Sequence, residues 1–242
     1  MAPLPLSLTL DLIARAHPDP VADDATALHL LSDAELLPGL EGAIADKPGP
    51  AGEIWVFAYG SLMWKPEFAF REQRLGTVRG FHRRFCLLQR RFRGTPERPG
   101  FVLALDRGGV CKGVAFRLDG DDPVATLMPV WRREMKGNGY EARWLAVDTA
   151  SGPVHALAFV VNRLGDRYAG RLTEAEIAEK IAAACGHLGP SAEYLLRTAE
   201  ACAALGIRDR HLVALQALVA ERLRGCGAVR PVADAVAERR PG

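Results

Sequence analysis

Residues 54–66 read IWVFAYGSLMWKP and decide the fold of this chain. The apolar and aromatic run over residues 54–59 predicts a buried strand, and Gly60-Ser61 predicts a tight turn directly after it. Glycine lets a ligand approach the backbone closely, and successive N–H groups in a turn can hold a carboxylate or an oxyanion. A Gly-Ser turn after a strand is also common without any such role, so the turn alone leaves its chemistry open.

Further short β-favouring segments follow this turn. Strands are predicted over residues 77–89, 100–106, 110–117, 140–147 and 154–161, with turns between them. Many short strands are typical of a barrel or a mixed sheet. One helix is predicted among them, from Pro123 or Val124 to Met135, with Asp121 and Asp122 near its positive end. This helix would carry Glu134 close to its C-terminus.

The chain becomes helical after residue 168. Thr173 and Glu176 have the spacing of a capping box, which predicts a helix to about residue 185. Two more helices are predicted over residues 190–205 and 209–223. With the strands before them, these helices indicate an α+β fold.

The ends of the chain differ from its middle in composition. Residues 1–50 are predicted to be an N-terminal extension with a short amphipathic stretch at 7–17 and a second helix that starts at Ser32 or Asp33. Residues 51–226 are predicted to form one domain, and residues 227–242 a flexible C-terminal tail.

Composition excludes several classes of protein. A chain of 242 residues, about half of them hydrophobic, forms one substantial core. The formal net charge of +2 argues against nucleic acid or a membrane surface as the main partner. No apolar run reaches the roughly 18 residues that span a bilayer, and the N-terminus lacks the features of a signal peptide. Five cysteines without a C-x-x-C pair favour a reduced cytoplasmic protein without a zinc site.

Residues 56–66 closely resemble the opening motif of the ChaC family of γ-glutamylcyclotransferases. The resemblance extends over about residues 54–215. It continues through VRGFHRRFC at 78–86, RGTPERPG at 93–100, WRREM at 131–135, Gly139-Tyr140, YAG at 168–170 and EYL at 193–195. Ala58 stands where many members have glycine.

The resemblance implies a small mixed β-barrel with flanking helices and an enzyme that needs no metal or cofactor. Its reaction converts γ-glutamyl compounds to 5-oxoproline and an amine, and in the ChaC branch the substrate is glutathione and the second product Cys-Gly. Glu134 is implied as the proton acceptor. The implied substrate loop consists of Tyr59, Gly60, Ser61, Leu62, Met63 and Trp64. The oligomeric state is not indicated.

Two tyrosines are further candidates for the site. Tyr140 and Tyr194 have hydroxyls that can hydrogen-bond a bound glutamyl group, although a tyrosine in such a fold is as often a core aromatic with a satisfied hydroxyl. By spacing alone, Glu134 would be a solvated carboxylate at a helix end, paired with a neighbouring arginine or lysine. The family motif is what favours catalysis.

The implied reaction needs few catalytic groups. The α-amine of the glutamyl group attacks its own γ-carbonyl, and well-oriented intramolecular reactions reach effective molarities on the order of 10⁵ M. The amine must lose a proton and the leaving amine must gain one, and a single carboxylate can do both. A partly buried carboxylate has a raised pKa, which suits this role near neutral pH.

Other readings of the sequence remain open. The arginine-rich stretch 79–98 contains interleaved phenylalanines, a composition compatible with nucleic-acid binding, but arginines that alternate with apolar residues usually form the solvated face of a strand. Cys86 and His82 are four residues apart on a strand, although a cysteine there is most often a buried small hydrophobe. A cyclotransferase for another γ-glutamyl amine or peptide, and a non-catalytic binder of γ-glutamyl metabolites, are the alternative functions.

Overall fold

The computed structural model describes residues 6–19, 21–23, 30–49 and 52–226. Within these ranges the chain forms a β-barrel with helices packed around it. The predicted C-terminal tail, residues 227–242, lies outside the described residues. Among the helices of the described ranges, none combines the length and the apolar character needed to cross a bilayer.

The barrel is built from consecutive strands of the chain. They are β1 (Trp55–Ala58), β2 (Phe70–Gln89), β3 (Gly100–Leu118), β4 (Tyr140–Thr149) and β5 (Val154–Val161). Their order around the barrel is β1-β3-β2-β4-β5, and the parallel pairing of β1 with β5 closes it. Neighbours along this order are antiparallel. The predicted mixed barrel with flanking helices is therefore confirmed.

The two strands predicted at 100–106 and 110–117 are one continuous strand, β3, so the turn predicted between them was wrong. Gly108 and Gly109 have φ values of 96° and 72°, and Gly80 opposite them on β2 has φ 81°. The register of β2 against β3 shifts at the same point, between Arg79 and Phe81. Glycine tolerates positive φ, so β2 and β3 bend together here at a β-bulge. The two strands remain paired on both sides of the bulge.

Strand β2 begins at Phe70, seven residues before the position predicted from local sequence. Residues 70–76, FREQRLG, are mostly polar, glycine or charged residues with weak β propensity. They are nevertheless extended because they pair with residues 113–118 of β3. Long-range pairing thus determines the start of this strand.

The helices agree closely with their capping signals. They are α1 (Leu10–Ala16), α2 (Asp33–Ala45), α3 (Pro123–Met135), α4 (Glu174–Ala183), α5 (Ser191–Ala204) and α6 (Arg210–Cys226). Ser32 and Thr173 each form a complete capping box. Asp122 caps α3 by accepting from Ala125 N. A two-stranded sheet, β6 (Cys185–Gly186) with β7 (Gly189–Pro190), was not predicted.

Two hydrophobic clusters hold these elements together. One fills the barrel and continues under α4, α5 and α6, and Leu8, Leu12 and Ile13 from the α1 region belong to it. The other lies between the barrel and the pair α2 and α3, with Leu40 and Trp131 among its members. Residues 1–50 therefore contribute buried side chains to both clusters, and their description as an extension stays a prediction.

The expectation that the arginines of residues 79–98 form a solvated face is wrong for Arg83. Its side chain is only 4% exposed and forms an ion pair with Asp209, Nε to Oδ2, at 3.1 Å. It also donates to Cys202 Sγ and to Lys112 O. Helices α5 and α6 cover this face of β2, which the sequence of β2 alone does not reveal.

Candidate active site

A small cavity and a large cleft meet beside the turn that follows β1. The cavity has a volume of about 20 Å³, the scale of one ordered water, and is lined by residues 59–62, Glu134, Tyr140 and Tyr194, with Leu103 and Phe159. The cleft has a volume of about 900 Å³. Ser61, Glu134, Tyr140 and Tyr194 line both, so the cavity is the inner end of the cleft.

The turn is a single 3₁₀ turn, Ser61–Met63, directly after β1. Met63 N donates to Gly60 O at 3.0 Å, and the N–H groups of Ser61 and Leu62 precede this first internal hydrogen bond. The first N–H groups of a helical turn have no acceptor within the turn, so these two are available to a ligand.

Gly60 lies against the hydroxyl group of a tyrosine from α5. A Cβ at this position would lie 3.0 Å from the hydroxyl oxygen of Tyr194 and 3.7 Å from Leu103 Cβ. Glycine therefore lets the Tyr194 hydroxyl reach the turn. This contact brings α5 against the loop that the sequence predicted to bind substrate.

The three tyrosines of the cavity are buried or half-buried, and burial raises the pKa of each hydroxyl. The hydroxyl of Tyr59 donates to Phe159 O at 2.6 Å, and that of Tyr140 donates to Leu103 O at 2.7 Å. Both hydroxyls are thus held by backbone carbonyls. All three remain protonated near neutral pH, so they add no negative charge to the site.

Glu134 is the second-last residue of α3, and it lines both the cavity and the cleft where the two meet. Its side chain is 12% exposed. Burial raises the pKa of this carboxyl above its usual value, the charges of Arg133 and Arg167 oppose the increase, and the carboxylate of Glu67 adds to it. The site therefore contains one carboxylate with the raised pKa that suits proton transfer.

Arg133 connects the carboxylates of the site to the turn. Its Nε lies 3.2 Å from Glu134 Oε1, and its Nη1 lies 3.4 Å from Glu67 Oε2 and donates to Lys65 O at 3.1 Å. Its Nη2 donates to Ser61 Oγ. The sequence pattern indicates Arg133 only as one of the neighbouring cations that can pair with Glu134 at the surface, and it does not indicate Glu67. The contacts of Arg133 with Glu67, Lys65 and Ser61 join residues 66 to 72 positions apart, which no local pattern reveals.

Two residues of the predicted substrate loop lie outside the cavity. Trp64 lines the cleft, and its Nε1 donates to Thr198 Oγ1 on α5 at 3.4 Å. Met63 packs against both hydrophobic clusters. A direct contact of either side chain with substrate stays a prediction.

Cys86 and His82 do not form a nucleophile pair. Cys86 is 1% exposed, and burial raises the pKa of its thiol to about 12. The ring of His82 bonds through Nδ1 to Gly108 O at 2.9 Å. A thiol with this pKa is protonated at neutral pH and is a poor nucleophile.

A family model described as ChaC-like protein matches residues 54–222, which include every residue that lines the cavity. The chain belongs to the ChaC-like family. Its similarity to a glutathione-specific gamma-glutamylcyclotransferase of Escherichia coli is 38% identity over 197 residues, 79% of this chain and 84% of the relative. Glutathione-specific gamma-glutamylcyclotransferase 1 of Homo sapiens is 36% identical over 174 residues, which are 69% and 78% of the two chains.

A solved structure has the same fold as this ChaC-like chain. It is a gamma-glutamyl cyclotransferase specific to glutathione from yeast, with a TM-score of 0.65 and 23% identity. The match covers 70% of this chain and 96% of that one. The ChaC-like fold, a closed barrel with helices packed around it, is thus found in a second protein of low sequence identity.

Proposed function

We propose that this ChaC-like protein is a glutathione-specific γ-glutamylcyclotransferase that produces 5-oxoproline and Cys-Gly, with Glu134 as its general acid and base. The observation that carries the proposal is the largely buried carboxylate of Glu134, with its raised pKa, at the junction of a small cavity and a large cleft. The names of the relatives from Escherichia coli and Homo sapiens support the same activity.

In the proposed binding mode the glutamyl group occupies the junction and the rest of the substrate extends along the cleft. The N–H groups of Ser61 and Leu62 bind the glutamyl carboxylate or the developing oxyanion. The protonated tyrosine hydroxyls around the cavity add no negative charge to that of Glu134. Folding the substrate against these walls brings its α-amine close to the γ-carbonyl carbon.

The chemistry then requires only one proton carrier. The carboxylate of Glu134 accepts a proton from the α-amine as the amine nitrogen forms a bond to the γ-carbonyl carbon. The tetrahedral intermediate collapses, the bond from the γ-carbonyl carbon to the cysteinyl nitrogen breaks, and Glu134 returns the proton to that nitrogen. No water is consumed and Glu134 ends in its starting state.

The alternative cyclotransferase activity differs only in the leaving group. We expect purified protein to release 5-oxoproline from glutathione at a kcat/KM at least about 10-fold above that for γ-glutamyl-alanine, because the cleft beside Glu134 has room for a second peptide unit. Chromatography of 5-oxoproline, the product common to both substrates, measures both reactions. Equal use of the two substrates would favour the broader activity, and no release from either would contradict the proposal.

The second alternative is a binding protein without activity. A buried carboxylate is costly to keep in a site that only binds, because a binder gains nothing from a proton carrier. Glu134 is held by Arg133, which also bonds the substrate turn at Ser61. This arrangement favours catalysis over mere binding.

We propose the cytoplasm as the working compartment. Cys86, Cys111, Cys185 and Cys202 are free thiols among the described residues, which suits a reducing environment. We propose no nucleic-acid partner for the arginine-rich stretch, because Arg79, Arg84 and Arg90 in it form ion pairs with aspartates of the same chain.

The pH dependence of kcat/KM tests the state of Glu134. The ionised carboxylate is the base, so activity falls as the pH drops through its pKa, and burial places that pKa above the usual 4.5. We therefore expect the midpoint of the acid limb above 4.5. Arg133→Met removes a charge that lowers this pKa, so its acid limb moves to still higher pH. An acid limb of the wild type below 4.5, or a shift to lower pH in the variant, would contradict the assignment.

A further inference from the structure

The cations that line the cleft differ in whether the protein already neutralises them. They are Lys65, Arg93, Arg132, Arg133, Lys136 and Arg167. The first four each have a carboxylate of this chain nearby, at closest N–O distances between 2.6 and 3.2 Å. In the ranges that the structure describes, Arg167 and Lys136 form no ion pair. Both could therefore neutralise a carboxylate of the substrate.

Arg167 is held in a fixed position although it has no ion pair. Its backbone O accepts from Leu88 N at 2.9 Å, and its Nε donates to Leu88 O at 3.0 Å. These two hydrogen bonds attach both the backbone and the guanidinium of Arg167 to β2. Nε is thereby used, and Nη1 and Nη2 are left for another acceptor.

The guanidinium rests on the turn between α3 and β4. A Cβ at Gly139 would lie 2.7 Å from Arg167 Nη1 and 3.0 Å from its Cζ, so glycine permits this close approach and a larger residue would displace the guanidinium. The same turn joins Glu134, at the end of α3, to Tyr140, at the start of β4. Arg167 therefore lies in the cleft wall beside the proposed proton carrier.

Glutathione has a second carboxylate, on its glycine, which must lie in the cleft when the glutamyl group is at Glu134. Extended Cys-Gly spans about 7 Å from the reacting carbonyl. A fixed, planar guanidinium with two free nitrogens matches a carboxylate better than the flexible ammonium of Lys136 does. We propose that Arg167 binds the glycine carboxylate of glutathione and determines specificity for it. This inference rests on the proposed function.

The test compares substrates with and without that charge. Arg167→Gln is expected to raise KM for glutathione about 10- to 100-fold, the effect of losing a charged hydrogen-bonded pair, with kcat within about 3-fold. For glutathione esterified on its glycine carboxylate, wild type and variant should have equal KM. Release of 5-oxoproline is the readout for both. An equal increase in KM for both substrates would overturn the proposal, because Arg167 would then act through Glu134 or through the fold.

Three further variants sharpen the result. Arg167→Lys keeps the positive charge, so its KM for glutathione should lie between those of wild type and Arg167→Gln, while its KM for the ester should equal that of wild type. Arg171→Gln is the matched control, since Arg171 is exposed and does not line the cleft, and should behave as wild type. Lys136→Gln tests the other unpaired cation. If Lys136→Gln raises KM for glutathione but not for the ester, while Arg167→Gln changes KM for both substrates alike, then Arg167 does not bind the glycine carboxylate.

A binding measurement separates failure of this inference from failure of the proposed function. Calorimetry of glutathione with Glu134→Gln, and with Glu134→Gln combined with Arg167→Gln, needs no turnover. Weaker binding by about 10-fold or more in the double variant supports the role of Arg167 even if the wild type releases no 5-oxoproline. Unchanged binding overturns it even if the wild type is fully active.

Discussion

Glu134→Gln is expected to lower kcat for release of 5-oxoproline from glutathione by about 10²- to 10⁴-fold, the range for loss of a general acid and base. Glutamine has the shape of the carboxyl group but can neither accept the amine proton nor return it. KM should change little, because the turn and the cleft remain. Measuring both products with wild type and variant at equal protein concentration tests this expectation.

The stability of the same variant provides a control. A carboxyl whose pKa is raised in the folded state favours folding in its protonated form, so its ionisation costs stability as pH rises from the unfolded value through the folded one. Below the unfolded pKa this cost is absent, and above the folded pKa it is fully present. Glu134→Gln removes it and should unfold at the same temperature as wild type or higher at pH about 7.

A second substitution checks that the effect belongs to this carboxylate. Glu200→Gln makes the same change on the exposed side of α5 and should retain full activity. If Glu134→Gln is folded and keeps more than about a tenth of wild-type kcat, another group carries the proton. Lower stability of Glu134→Gln than of wild type would instead indicate that the residue is mainly structural.

Local signals in the sequence were sufficient for much of this fold. The capping boxes at Ser32 and Thr173 and the cap at Asp122 each begin a helix where predicted, because a cap depends on residues three positions apart. The strand before Gly60 was predicted for a similar reason, since an apolar run that ends at a glycine is itself local. Together these signals placed the turn and Glu134 on their correct elements.

Long-range contacts explain what the sequence did not reveal. The early start of β2 and the continuous bend of β3 depend on pairing between the two strands, not on their own propensities. In the site, Arg133 reaches Ser61 across 72 positions in the chain, and Arg167 reaches Leu88 across 79. Such contacts exist only once the barrel closes, so a pattern within one segment cannot indicate them.

The buried ion pair of Arg83 with Asp209 leads to the largest expected effect on stability. The side chain of Asp209 is 16% exposed, its Oδ2 lies 3.1 Å from Arg83 Nε, and its Oδ1 accepts from Leu212 N at 3.0 Å at the start of α6. Asp209→Ala leaves the guanidinium buried without its countercharge and removes the helix cap. Breaking a buried pair costs about 3–5 kcal/mol of the free energy of unfolding, and we expect Asp209→Ala to lie at the upper end.

The two parts of this effect can be measured separately. Asp209→Asn keeps an acceptor for the cap and loses only the charge, so it should be more stable than Asp209→Ala by about 1 kcal/mol, the value of a cap. Asp148→Ala breaks the exposed pair with Arg79 and should cost less than about 1 kcal/mol. Denaturant unfolding of the three variants gives the comparison. If Asp209→Asn proves as stable as Asp148→Ala, Arg83 does not depend on its countercharge, and its contacts with Cys202 and Lys112 suffice to hold it between β2 and the helices.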